Sequence, residues 1–231
     1  MSITHYDLHI GNKNYSSWSL RAWVLLKALD IPFHEHMHYF QPDNAAFKAF
    51  SPTGQVPCLQ EGAITVWDSL AIAEYIAEDH ARVWPAGREA RAYARSVAAE
   101  MHGGFTTLRN MCSMSVGVRV KMHDTPPALL KDLSRIDSLW TDGLSRFGGP
   151  FLAGDSFTAA DAFYAPVVFR VQTYGLGFIL SHAARAYVDH MLAQPAMQQW
   201  YADGLAEAVR DASHEDEIVQ FGVLISDARA T

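Results

Sequence analysis

Apolar and polar positions along this chain follow two periods, and the dominant period changes once. Tyr6-Asp7-Leu8-His9-Ile10 alternates with period two and predicts a strand, while Trp18 to Leu29 carries 3.6-residue spacing and has Lys27 in its last turn, as a helix does. Pro32 to Tyr39 predicts a second strand and Ala45 to Phe50 a short helix. Val56 to Gln60 and Ala63 to Trp67 are strand-like runs on either side of a Glu61-Gly62 turn, and a helical pattern follows from Ser69 to about Asp79. Pro85 and Gly87 then break the pattern. Beyond them the spacing is helical throughout: Arg88 to about Met114, Pro127 to Phe147, Ala160 to Tyr174, Ser181 to Leu192, and Pro195 to about Val209. Thr158 stands three residues before Asp161, the spacing of a capping box, and Ala162 to Val171 is apolar on most faces, predicting a buried helix with a kink at Pro166.

The order strand, helix, strand, helix, strand, strand, helix is that of a thioredoxin-like domain. The expected fold is therefore α/β followed by all-α: a thioredoxin-like domain over residues 1–80, a linker over 81–87 and an all-helical domain over 88–231. With 231 residues, 49% of them apolar, the chain can bury a sizeable core. A net charge of −7 without a Lys/Arg cluster argues against nucleic acid and anionic membrane as partners. No apolar run approaches the roughly 20 residues that cross a bilayer, and the first residues lack a secretory pattern, so a cytoplasmic location is expected. Cys58 and Cys112 form no C-x-x-C pair and read as core thiols. His34, His36 and His38 alternate on one strand face at steps of about 7 Å, too far apart to converge easily on one ion. A solvated face is expected there, and no metal.

Two segments carry candidate chemistry. A proline opening a strand donates no ladder hydrogen bond, so the Val56 backbone beside Pro57, itself a candidate for a cis bond, is free to pair with an extended peptide. Ser69, at a helix start, offers N–H groups and a hydroxyl to a carboxylate, and Asp68 offers a charge to an ammonium. Together they suit one end of a small zwitterionic peptide. The second segment, Asn12 to Arg21, is a polar loop running into a helix. Hydroxyls of Tyr15, Ser16 and Ser17 stand there at a positive helix terminus, where a thiolate would be stabilised.

Gln55-Val56-Pro57-Cys58-Leu59, followed by Trp67-Asp68-Ser69-Leu70-Ala71-Ile72-Ala73-Glu74-Tyr75-Ile76, resembles the glutathione-binding half of cytosolic glutathione transferases. The resemblance implies glutathione as cofactor, with its cysteinyl backbone on Val56 beside Pro57, its γ-glutamyl end on Asp68 and Ser69, and its glycyl carboxylate near Gln55. Phe151 to Asp161 resembles the family's capping motif at its buried core helix. Ser16-Ser17-Trp18-Ser19-Leu20-Arg21 is similar to the Ser-Ser-Cys-Ser-x-Arg stretch of the zeta class, with Trp18 replacing the cysteine, and the longer string from Asn14 looks like a bacterial branch. That register implies Ser16 as the thiolate's donor, with Ser17 and Tyr15 as alternates. Met101, Phe105, Met111, Met114 and Tyr164 are candidates for an apolar acceptor pocket. The expected activity is conjugation of glutathione to small apolar electrophiles by a homodimer. The alternatives are a zeta-like isomerase and a non-catalytic glutathione- or ligand-binding protein.

Overall fold

A computed structural model describes residues 6–229. The N-terminal domain is a four-stranded sheet in the order β2-β1-β3-β4, made of β1 (Tyr6–Gly11), β2 (Phe33–His38), β3 (Cys58–Glu61) and β4 (Ile64–Trp67). β1 and β2 are parallel, which requires a crossover, and α1 (Ser17–Ala28) supplies it. β3 runs antiparallel to both β1 and β4. The turn between β3 and β4 uses Gly62 at φ 57°, a left-handed conformation that favours glycine. α2 (Ser69–Asp79) follows, capped by the Asp68 carboxylate, which accepts from the Leu70 N–H at 2.7 Å.

The second domain contains α3 (Arg88–Gly103), α4 (Thr106–Met111), α5 (Pro127–Phe147), α6 (Ala159–Tyr174), α7 (His182–Leu192), α8 (Pro195–Ala206) and α9 (Ala212–Val219). All but one residue of α6 is buried, as its apolar circumference requires, and the helix runs without interruption through Pro166. Its start is fixed by the capping box: Asp161 accepts from the Thr158 N–H and, with its other oxygen, from the Leu152 N–H, both at 3.0 Å. α6 packs on α1, and Trp23 of α1 meets Trp200 of α8 edge-on at 5.2 Å, so one apolar core runs through both domains.

Four expectations need correction. The helical domain also carries a β-ribbon, β5 (Val118–Met122) paired antiparallel with β6 (Gly222–Asp227). The predicted helix from Arg88 to Met114 is two helices. Gly103 and Gly104 interrupt it, Phe105 turns left-handed at φ 55°, and a side chain at Gly104 would meet the Glu100 carbonyl oxygen at 2.6 Å. The helix from Pro195 stops at Ala206, short of Val209, where Glu207 turns toward the first domain. The histidine face is only half solvated. His36 bonds Asp7 at 2.7 Å, but His38 bonds His9 at 2.9 Å and stacks on Phe50.

Candidate active site

A cleft of about 800 Å³ lies between the two domains. Its first wall is the β1–α1 loop. Ser16 caps α1: its hydroxyl accepts weakly from the Ser19 N–H at 3.4 Å and donates to Ser19 Oγ at 2.7 Å. Ser17 opens the helix, is half-buried, borders the cleft and makes no side-chain hydrogen bond to any described residue. Tyr15 borders the cleft too, but its hydroxyl donates to Glu215 at 2.5 Å; burial first, then that carboxylate, push its pKa well above the ordinary phenol value. Its proton is therefore committed elsewhere.

The second wall joins β3 to α2. The Val56–Pro57 bond is cis, and the Val56 N–H and C=O have no hydrogen-bond partner among the described residues. Gln55, exposed, borders the cleft beside them. Ser69 is buried to 1% exposure, and its hydroxyl, on the cleft, has no partner. Asp68, which also borders the cleft, holds φ 74° and lies 3.4 Å from His102 Nε2. An orphaned buried hydroxyl is costly unless a ligand bonds it. Ser69, the open Val56 backbone and the Asp68 charge thus place an unpaired hydroxyl, free backbone groups and a carboxylate on one wall of the cleft.

The second domain grips the β1–α1 loop from behind. Glu207, 7% exposed, accepts from the Lys13 N–H at 2.6 Å, the Asn14 N–H at 3.1 Å and the Asn14 amide at 3.1 Å. Desolvation raises its pKa, and those donors oppose the rise. Lys13 Nζ, itself buried, is paired with Asp203 at 2.7 Å and Glu35 at 2.8 Å. The loop leading to Ser16 and Ser17 is held by α8.

Of the five residues expected to form an acceptor pocket, only Met114 borders the cleft. Met101 and Tyr164 are at 0% exposure, with the Tyr164 hydroxyl donating to the Val97 carbonyl, and Phe105 and Met111 lie at the ends of α4 away from the lining. Helical periodicity marks the buried face of a helix, and here that face is the core. The residues in the wall are instead polar: Arg109, Asn110, Ser113 and Arg170, with His214 and Glu217 from α9. Sequence reasoning missed them because charged residues on helices ordinarily read as solvated. Both cysteines are buried, and desolvation pushes the Cys112 thiol up to about 12, so neither is a nucleophile.

Comparison with known proteins agrees with this architecture. The family model "Glutathione S-transferase, N-terminal domain" matches residues 15–79, and "Glutathione S-transferase, C-terminal domain" matches 92–203. The maleylacetoacetate isomerase of Rattus norvegicus is 27% identical over 196 residues, covering 78% of this chain and 89% of that protein. Dichloromethane dehalogenase of Methylorubrum extorquens is 42% identical over 61 residues, 25% of this chain and 21% of that protein. A glutathione transferase homolog from Burkholderia, solved with bound glutathione, superposes with a TM-score of 0.63 at 28% identity, covering 87% of this chain and 98% of that one. Both domains being matched by their family models, the chain belongs to the glutathione S-transferase family.

Proposed function

We propose that the protein holds glutathione in this cleft and directs its thiolate at a small electrophile. The carrying observation is the buried, partnerless Ser69 hydroxyl beside Asp68, on the same wall as the open Val56 backbone. Ser69 and the N-terminus of α2 suit the γ-glutamyl carboxylate, Asp68 its ammonium, Val56 the cysteinyl amide and Gln55 the glycyl carboxylate. Glutathione supplies the nucleophile, a sulfur that is reactive as thiolate. Ser17 is the donor we assign to that sulfur, because its hydroxyl has no other partner, whereas the Ser16 hydroxyl is donated to Ser19. The start of α1 adds its partial positive charge. Holding both reactants together and keeping the sulfur ionised are the protein's catalytic contributions.

Calorimetric titration with glutathione, repeated on Asp68→Ala and Ser69→Ala, tests the reading. Micromolar to low-millimolar binding weakened by both substitutions is expected; no heat from the wild type would leave a binding protein of another ligand. A second reading, a zeta-like isomerase returning glutathione unchanged, draws support from the rat relative's name. Product isomerised without glutathione consumption would favour it. Exposed Ile64 and Trp67, on the free edge strand β4, support a homodimer, checked by sedimentation. Two buried free thiols fit a reducing, cytoplasmic compartment.

A further inference from the structure

Two guanidiniums, Arg109 and Arg170, line the second-domain end of the cleft, and a third, Arg21, lies buried behind Trp18. Arg170, on α6 and 5% exposed, borders the cleft and donates from Nε to the Cys112 carbonyl at 2.7 Å. Arg109, on α4, borders it beside Asn110 and lies over one face of Trp18 with its guanidinium carbon 4.6 Å from the ring centre. Arg21, on α1 and 2% exposed, lies 4.2 Å from the centre of the same ring, and its Nε and Nη1 have no hydrogen-bond partner. Of the other arginines, Arg95, Arg135, Arg146 and Arg229 each hold a carboxylate, while Arg82, Arg91, Arg119 and Arg185 donate to backbone carbonyls away from the cleft. Arg21, Arg109 and Arg170 hold none among the described residues.

Buried cations without a carboxylate are costly, and Arg170 and the half-buried Arg109 on one cavity, with Arg21 buried close behind, make a strong local positive potential in a chain whose net charge is −7. The nearby carboxylates are engaged. Asp68 accepts from Leu70 and faces His102, and Glu217 accepts from the Ser113 hydroxyl at 3.0 Å. Desolvation, then repulsion from Arg109 and Arg170, pushes the Arg21 pKa down to about 9, so the cluster keeps its charge at neutral pH. Glutathione's own carboxylates are met by Ser69 and Gln55 on the opposite wall. The arginine wall faces the space left for the second reactant.

We infer that the electrophile is an acid, a small molecule whose carboxylate is taken by Arg109 and Asn110 over the buried charge of Arg170 and Arg21. This rests on the glutathione-transferase reading and replaces the apolar electrophile expected from the sequence. The reaction with such a probe is a substitution. With 4-(bromomethyl)benzoate the thiolate forms a carbon–sulfur bond, the carbon–bromine bond breaks, bromide leaves, and the thiol proton goes to solvent.

The test compares 4-(bromomethyl)benzoate with its methyl ester under saturating glutathione. The acid is expected to have at least tenfold higher kcat/KM. Arg109→Gln should lower the acid-to-ester ratio about tenfold, and Arg109→Lys should retain most of the preference. A wild type that treats acid and ester alike, or favours the ester, overturns the inference while leaving the transferase reading intact. A second arm needs no turnover: calorimetry with the inert pair 4-methylbenzoate and 4-methylbenzamide. Tighter binding of the carboxylate, tenfold or more, supports the anion site even if glutathione does not bind, and equal binding overturns it.

Discussion

Glu207 is the most demanding test of how this site is built, because a residue at the end of α8 holds a loop that belongs to the other domain. Replacing it with alanine removes the acceptor of three donors: the Lys13 N–H, the Asn14 N–H and the Asn14 amide. Each buried donor left unsatisfied costs about 1–3 kcal/mol. The vacated space admits water to part of the loop, so the expected net loss is about 3–5 kcal/mol, the range seen when one side of a buried charged network is removed. Lys13 does not add to this, since Asp203 and Glu35 keep its ammonium paired. For a chain of this size about 2–4 °C accompanies each kcal/mol, which places the melting temperature of Glu207→Ala roughly 6–20 °C below wild type. Glu207→Gln keeps an acceptor for one set of donors and turns its NH2 against the other, for a smaller loss of about 1–3 kcal/mol. The loop runs directly into Ser16 and Ser17, and a displacement near 1 Å at a reacting group can cost about a hundredfold in rate. Scanning calorimetry and steady-state kinetics on folded Glu207→Ala should therefore show a lower melting temperature and a kcat reduced ten- to a hundredfold, with glutathione affinity within about threefold of wild type, since Val56 and Ser69 do not depend on the clamp. A melting temperature within 2 °C of wild type, or full kcat in a destabilised protein, would refute the reasoning.

Other outcomes follow from the same geometry. Ser17→Ala should reduce kcat at least tenfold and raise the pKa seen in the pH–rate profile, while Ser16→Ala mainly lowers stability by about 1 kcal/mol through loss of the cap; the reverse pattern would return the thiolate to Ser16. Asp161→Ala should cost about 3–5 kcal/mol and yield largely insoluble protein, because the carboxylate accepts from Leu152, Thr158 and Tyr187 inside the core; soluble protein of normal melting temperature would contradict this. Hydrogen bonds from Arg229 hold the Asp227 carboxyl below its ordinary value. A depressed acid stabilises the fold above its unfolded pKa near 3.8, and that stabilisation is lost as pH falls through the lower folded value. Hydrogen exchange over residues 212–227 should accordingly accelerate below about pH 4 while exchange in α6 does not, and uniform acceleration would remove the link to Arg229.

Short-range patterns in the sequence were enough for the first domain, for the capping box at Thr158 and for the segments that converge on the cleft. Strand alternation, turn chemistry and helix caps act between residues a few positions apart, so a linear reading finds them. Val56 and Ser69 are legible for that reason: a proline at a strand start and a serine at a helix start declare their free backbone and hydroxyl locally. Tertiary structure alone decided the rest. Val118-Arg119-Val120-Lys121-Met122 alternates as a strand, but its partner lies about a hundred residues later, and no local rule pairs it with Gly222–Asp227. The apolar character that offered Met101 and Tyr164 as pocket residues does not tell core from cleft, because both are apolar surroundings for a side chain. Arg109 and Arg170 reach the cleft through the break at Gly103-Gly104 and the burial of α6. Which charges lack partners is a property of three-dimensional neighbours, so the character of the second substrate became readable only once the helices were packed.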